Sequence, residues 1–333
     1  MPQGITSKTL AKILQNIIIA LNDGSSYALI ALGYTMVYGV LRLINFAHGD
    51  VFMLGAFVGA YTARWLNPPT AAHPAPEQTY VQAIAAVVIA MVACGAIGFL
   101  IERIAYRPLR KSPRLAALIT AIGVSLLIEY LAQMKWTIGG VSFFGPDPTR
   151  FEPILHSGEQ IPFFQRVFGI SVVNKDIIVI STTLVTLGVL YFIVQHTRTG
   201  KAMRALSQNY DAARLMGINI DRVISFTFIL GSMLAAIGGC LWGLNRNQCT
   251  PLMGLIPGLK AFVAAVIGGI GNIPGAAAGG LILGLTETFV SSVQYHQAAI
   301  LSPYKDAIAF VILIGVLLFK PEGIFGKAVP EKV

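Results

Sequence analysis

The stretch Gln195–Arg222, QHTRTGKAMRALSQNYDAARLMGINIDR, is the longest clearly polar and basic segment of this chain. Apolar runs long enough to cross a membrane lie on both sides of it, at about 176–195 and 223–243. The stretch therefore predicts a polar loop between two spanning helices. Since few other polar segments of the chain could bind a soluble partner, we interpret this loop as a docking segment.

The composition indicates a membrane protein. Hydrophobic residues make up 55% of the 333 residues and charged residues only 12%, with a mean hydropathy of +0.70. A soluble domain carries about 25% charged residues, so this chain lacks the polar surface that a soluble globule needs. The net charge is +9, and the basic residues cluster in short loops between apolar runs. This placement favours a role in orienting the chain in the membrane over nucleic-acid binding.

The apolar runs predict an all-α, polytopic transmembrane helical bundle that occupies residues 1–333 as a single domain. Six runs are long enough to span a bilayer: 13–32, 80–101, 115–134, 176–195, 223–243 and 304–320. Two further regions, 33–66 and 258–290, are apolar but interrupted by glycine, proline or polar residues. We expect about eight membrane elements, two of them broken.

Loop charges predict the orientation, because cytoplasmic loops carry an excess of Lys and Arg. The basic loops 102–114 and 195–222 and the tail from 320 onward are expected on the cytoplasmic side, and the loops 67–79 and 135–175 outside. The side of the N-terminus stays open. Within 135–175, residues 150–155 and 160–164 flank a turn at 156–159, which fits a small hairpin or an irregular loop equally well.

No catalytic or cofactor motif is found in the sequence. Gly200-Lys201 is followed by Ala202 and does not make a phosphate-binding loop, and the HExxH and GxSxG patterns are absent. The three cysteines have no metal-ligand or disulfide spacing. We therefore expect no catalysis, no metal and no bound cofactor, so that any ATP-driven work needs an ATPase on another chain.

The broken regions carry the candidate transport residues. Ionisable groups at membrane depth cost about 2.5 kcal/mol or more at the centre of a helix, so they usually face a cavity or a partner. The candidates for a translocation path or a hinge are Asn45, His48, Gly49 and Asp50 in the first region, and Gly271, Pro274 and Gly275 in the second. Two interrupted segments, one in each half of the chain, also suggest an internal repeat.

Within the polar loop, residues 211–218 predict a helix of about two turns. Asp211 suits the positive N-terminal end of a helix dipole, and Gly217 suits a left-handed cap at the other end. The small side chains of Ala212 and Ala213 would let another surface approach closely. Such a short helix is not stable alone and must be held by its neighbours.

These residues resemble the LivH-type permease subunits of the branched-chain amino acid ABC importers. The resemblance covers nearly the whole chain and is carried by YALIALGYTMVYG at 27–39, LINFAHGD at 43–50 and the segment 258–284. DAARLMG at 211–217 resembles the cytoplasmic EAA loop of importer permeases, with Asp211 in place of the usual Glu. The resemblance implies an ABC importer permease fold and assigns coupling to the ATPase to Asp211, Ala212, Ala213 and Gly217.

The family further implies a multi-pass protein of the bacterial inner membrane that pairs with a related second permease as a heterodimer. Two ATPase subunits that bind Mg-ATP and a periplasmic substrate-binding protein complete the expected assembly. A urea or short-chain amide importer is the alternative on the same scaffold. A secondary transporter driven by an ion gradient is the alternative of another class, although it would need no docking loop. Because the spans offer few charged groups for a zwitterion, we expect selectivity to reside mainly in the external receptor.

Overall fold

The computed structural model describes residues 3–41, 43, 45–70, 76–110, 112–138, 141–293 and 301–326. The helices are α1 (Gln3–Leu41), α2 (His48–Leu66), α3 (Tyr80–Ile101), α4 (Arg114–Gln133), α5 (Pro162–Phe168), α6 (Asn174–His196), α7 (Arg198–Gln208), α8 (Tyr210–Leu215), α9 (Ile220–Arg246), α10 (Leu255–Gly268), α11 (Ile273–Ser292) and α12 (Lys305–Phe319). A π-helical turn, Glu102–Tyr106, extends α3, and a 3-10 turn, Ser302–Tyr304, precedes α12. The strands are β1 (Trp136–Ile138), β2 (Val141–Phe143), β3 (Thr149–Arg150) and β4 (Gln248–Cys249).

The predicted helical bundle is confirmed. Among the described residues, seven helices are long and apolar enough to cross a membrane, and each predicted run falls on one of them. The helices α2 and α10 are further apolar helices packed among these spans, α10 with only 14 residues. Helices α1 and α9 are mostly buried and form the centre, whereas α4, α6 and α12 present most of their surface outward.

Small residues let the central helices approach closely. A Cβ atom added to Gly280 of α11 would lie 2.5 Å from the backbone nitrogen of Ala28 in α1. One added to Gly55 of α2 would lie 2.5 Å from the Cα atom of Ala236 in α9. The GxxxG spacing in the sequence thus marks helix faces in backbone contact, where packing replaces the hydrophobic effect as the source of helix association in lipid.

Both broken regions are interrupted, but the first break begins later than the sequence suggested. Residues 33–41 continue α1, which ends at Leu41. Gly33 lies inside this helix close to His48 of α2, and Gly39 lies close to Gly271 in the turn between α10 and α11. The second break follows α10, where Gly269 and Gly271 have φ angles of +100° and +92°. Pro274 stands at the second residue of α11, where a missing N–H costs no helical hydrogen bond. The internal repeat stays a prediction.

The position of the N-terminal part of α1 follows from its contacts. The Asn22 amide donates to Asp176 Oδ1 at the start of α6, and Asn245 at the end of α9 donates to Asn22 Oδ1 at 2.9 Å. Since α6 runs into the loop 195–222 and α9 runs out of it, Asn22 lies at the opposite end of the bundle. The N-terminal part of α1 therefore shares its end of the bundle with 135–175.

The hairpin predicted around residues 156–159 is wrong in position. In the segment 135–175, β1 and β2 form an antiparallel pair with Trp136 opposite Phe143. The turn at 156–159 exists, but the flanking residues pair elsewhere: β3 pairs with β4, and Ile154 bridges to Gln78. Residues 162–168 form α5, because Pro162 suits the first turn of a helix and cannot donate in a strand.

Candidate functional sites

The polar loop folds as two helices, α7 and α8, and α8 is capped at both ends. The Oδ1 atom of Asn209 accepts hydrogen bonds from the backbone N–H groups of Asp211 and Ala212 at 2.9 and 3.0 Å. At the other end Gly217 has a φ angle of +80°, and the N–H of Ile218 donates to the carbonyl of Ala213 at 3.1 Å. This is a Schellman cap, which needs a left-handed residue at the position that Gly217 occupies.

The loop presents a mixed surface to the solvent. Asp211, Ala212 and Gly217 are exposed, whereas Ala213 is buried within the chain and offers no surface to a partner. The two most prominent side chains of the loop, Leu215 and Met216, are 88% and 82% exposed and were not predicted from the sequence. Two adjacent apolar residues in an otherwise polar loop were the available signal, since exposed apolar groups mark interaction surfaces.

The loop is held against the helical bundle by α7 and by ion pairs near the start of α9. Gly200, Met203 and Leu206 form the buried face of α7, which packs against α6, α1 and α9. Glu102, fully buried at the end of α3, accepts hydrogen bonds from Arg110 and from the Ser225 hydroxyl of α9.

Arg110 and Arg107 also pair with Asp221 in the first turn of α9. These charge-assisted bonds join the end of α3 to the start of α9.

The first break gathers the predicted polar residues at the start of α2. All four candidates, Asn45, His48, Gly49 and Asp50, are buried there. The Tyr106 hydroxyl donates to Asn45 Oδ1 at 2.9 Å, and Ser125 of α4 donates to Asp50 Oδ2 at 2.5 Å.

A cavity of about 120 Å³ adjoins this break. It is lined by the carboxylates of Asp50 and Glu129, by aromatic and aliphatic side chains, and by the backbone of Gly254 and Gly258. Close by, the His48 ring lies edge-on to Tyr34 with centroids 4.8 Å apart, and its Nε2 atom has no hydrogen-bond partner among the described residues. The arrangement is one of polar groups held at a helix start inside the bundle.

The second break lies in another place. Asn272 caps α11 by accepting from the Gly275 N–H at 3.2 Å, and its amide donates to the carbonyl of Phe325 at 2.8 Å. Gly271 thus belongs to a tight turn tied to the segment 320–326, and Pro274 and Gly275 lie in the first turn of α11. The two groups of candidates lie at separate places in the described structure, and the neighbour of Gly271 is Gly39 of α1.

A buried ionic cluster was missed by the sequence analysis. Lys260 of α10 is 3% exposed, and its Nζ atom lies 2.8 Å from Glu287 Oε1 of α11 and 2.5 Å from Asp306 Oδ1 of α12. The Tyr27 hydroxyl of α1 donates to Glu287 Oε2 at 2.9 Å. The expectation that the spans hold few charges was therefore too strong. A lysine and a glutamate within apolar helices were the available signal.

The described residues offer no group of three or more His, Cys, Asp or Glu side chains that could hold a metal ion. Cys94, Cys240 and Cys249 are buried thiols without a disulfide partner. Several of the polar groups described above pair across helices, as Lys260 does with Glu287 and Ser125 with Asp50.

Comparisons with known proteins agree on one family. Residues 16–317 match the profile of the family described as branched-chain amino acid transport system, permease component. The chain is 38% identical to the high-affinity branched-chain amino acid transport system permease protein LivH of Escherichia coli (strain K12) over 327 residues, which cover 98% of this chain and 100% of the relative.

Two further relatives extend the match. The permease protein BraD of Pseudomonas aeruginosa is 38% identical over 96% of this chain and 98% of its own length. The probable permease LivH of Methanocaldococcus jannaschii is 29% identical over 90% and 88%. No solved structure gives a significant match. The chain therefore belongs to the family of branched-chain amino acid transport system permease components.

Proposed function

We propose that this chain is the membrane-spanning permease subunit of an ATP-driven importer that carries branched-chain or other hydrophobic amino acids inward. The observation that supports it best is α8, a six-residue helix capped at both ends that presents Leu215 and Met216 beside the small residue Ala212. A short, capped helix with an apolar tip is suited to dock in a cleft of a partner. An ion-driven carrier would have no use for it.

In this proposal the ATPase subunits bind Mg-ATP and pull or push α8. The motion passes through α7 to α6, and through the Glu102, Arg110 and Asp221 pairs to α3 and α9. Helix α9 packs along α1 and α2 at the centre. The two breaks, which lack continuous helical hydrogen bonding, are the places where such a motion can change helix angles.

The proposal also assigns a place to each remaining partner. The loop 195–222 faces the cytoplasm, where the ATPases act, and the segment 135–175 at the other end faces the substrate-binding protein. A related second permease covers part of the outward apolar surface of α4, α6 and α12, and lipid covers the rest. The assembly resides in the bacterial inner membrane.

A substitution at the tip of α8 tests the docking role. Leu215→Asp should leave membrane insertion intact, because the side chain contacts solvent, but should abolish co-purification of the ATPase subunits and amino-acid uptake. Leu215→Met keeps an apolar tip and serves as the matched control. Wild-type uptake by Leu215→Asp at equal expression would mean that α8 is only a connecting segment.

A further inference from the structure

A cavity of about 340 Å³ opens at the end of the bundle opposite the loop 195–222, between α9, α10 and the start of α12. We call it the outer cavity. Its inner part is formed by Tyr27, Trp242 and the buried Lys260, and its rim by Arg246, Lys305 and Asp306. The volume lies in the range of small-molecule sites, about 300–1,000 Å³.

The rim combines both signs of charge. The side chains of Arg246 and Asp306 are each 46% exposed, so both reach ions in solution. Asp306 pairs with the buried Lys260. The Arg246 guanidinium lies over the Trp242 ring, 4.8 Å from its centroid, and is also 3.7 Å from Asp23 Oδ1. Arg246 and Asp306 are thus each positioned by a paired residue, and each remains partly exposed on the cavity side.

The opposite wall is apolar. Leu252 and Ile256 are 54% and 44% exposed, and the buried Pro257 in the first turn of α10 also lines the cavity. Exposed aliphatic side chains that face a charged rim are unusual in a polar crevice. They provide contact area for an aliphatic group.

We propose that the outer cavity receives a zwitterionic α-amino acid with an aliphatic side chain. Its carboxylate binds Arg246 and Lys305, its ammonium group binds Asp306, and its side chain packs on Leu252 and Ile256. The proposal rests on the proposed function and adds the place and the contacts of the substrate. Because the ligand must share charges that are already paired, its net gain on binding is small, as suits a site that releases its ligand onward.

A second cavity of about 330 Å³ shares Arg246 and Lys305 with the outer cavity and continues along α1 and α11 past Asp23 and Ser291. The two cations therefore stand between two cavities. A ligand carboxylate held by them can be passed from the outer cavity to its neighbour without leaving the cations.

Thiol protection tests the site in the assembled importer in membrane vesicles. A cysteine at Leu252 should react with an impermeant thiol reagent, and millimolar leucine should slow the reaction. Leucinamide, which lacks the carboxylate, and isocaproate, which lacks the ammonium group, should protect much less. A cysteine at Val81, 77% exposed on α3, is the matched control and should be unaffected by leucine.

A charge variant separates binding from a general conformational effect. In the Leu252→Cys chain, Asp306→Asn should raise the half-protecting leucine concentration about tenfold, as expected for one lost charge-assisted hydrogen bond. Glu159→Gln, an exposed carboxylate elsewhere at this end, should not change it. If Asp306→Asn fails to assemble, the comparison of leucine with leucinamide and isocaproate still decides.

Equal protection by all three compounds, or none by leucine, would overturn the proposal. If the importer carries leucine while the cavity gives no protection, only the outer cavity is rejected. If the importer carries no aliphatic amino acid at all, the proposed function itself fails.

Discussion

At the scale of single residues, several buried charges are held in ion pairs. Lys260 and Glu287 pair across α10 and α11, whereas Glu102 pairs with Arg110 in the turn that follows its own helix. An unpaired ion at this depth would be costly, so the Lys260–Glu287 pair favours one relative position of its two helices. Gly217 acts differently, through a backbone conformation that other residues adopt at a cost.

Gly217→Val tests that conformation. No atom lies within 4 Å of an added Cβ, so the substitution causes no clash within the chain. The left-handed conformation itself costs an L-residue about 1–2 kcal/mol, and more when it is β-branched. We expect normal membrane insertion but loss of receptor-stimulated ATP hydrolysis and of uptake in proteoliposomes.

Asn at the same position is the matched control, because asparagine tolerates the left-handed region. Gly217→Asn should therefore retain most of the uptake. A Val variant that transports at the wild-type rate would show that the cap is dispensable for coupling.

Lys260→Met tests the buried cluster. Removing the cation leaves Glu287 and Asp306 without their counter-ion, and breaking a buried pair in this way costs about 3–5 kcal/mol. The thermal midpoint of unfolding in detergent should fall well below that of the wild type. Lys201→Met on the exposed face of α7 should leave it unchanged.

The double variant Lys260→Met with Glu287→Gln provides the second half of the test. It removes a charge from each side, so its midpoint should lie above that of Lys260→Met alone. A double variant less stable than the single variant would mean that the two side chains act independently.

At the scale of elements, α8 depends on its ends. It has six residues, whereas isolated helices shorter than about 12–15 residues are marginal in water. Its stability comes from the Asn209 cap, the Schellman cap and the buried Ala213. The element is thus a helix stabilised by its caps within the loop and not a flexible linker.

Asn209→Ala should destabilise α8. Loss of an N-cap side chain costs about 0.5–2 kcal/mol, which is large for two turns of helix. Exchange of the backbone amides of residues 211–215 should become faster, and receptor-stimulated ATP hydrolysis should fall in part. Asn209→Asp keeps the acceptor and should behave as the wild type. Unchanged amide exchange in Asn209→Ala would contradict the capping role.

At the scale of the whole molecule, the contacts of α1 show at which end of the helical bundle its N-terminal part lies. Its contacts with Asp176, Asn245 and Ser171 place its N-terminal part at the end opposite α7 and α8. If the loop 195–222 lies on the cytoplasmic side, as its charges predict, the N-terminal part of α1 is expected outside.

Single cysteines in a cysteine-free background test this arrangement. One at Gln208 should react only with a reagent that enters the cytoplasm, and one at Leu10, 58% exposed on α1, should react with an impermeant reagent added to intact cells. Labelling of both positions from the same side would contradict the arrangement of α1.

The sequence by itself determined the features that depend on local chemistry. A bilayer demands about 20 apolar residues for each span, so the spans could be read from their lengths. The second break was visible because glycine and proline mark it, and the C-terminal end of α8 was visible because Gly217 suits a left-handed cap, whereas the N-cap Asn209 was not predicted. The polar, basic composition of 195–222 predicted the docking loop, and the family resemblance assigned coupling residues to it; that role stays a prediction.

Only the tertiary structure decided which distant residues meet. The sequence contained Lys260, Glu287 and Asp306, yet nothing local in it pairs them, because helix packing brings three separate helices together. The same holds for the strand partner of β3, for the inward orientation of Ala213 and for the end of the bundle at which the N-terminal part of α1 packs. Periodicity and caps act over a few residues, whereas these contacts depend on how close small residues let whole helices approach.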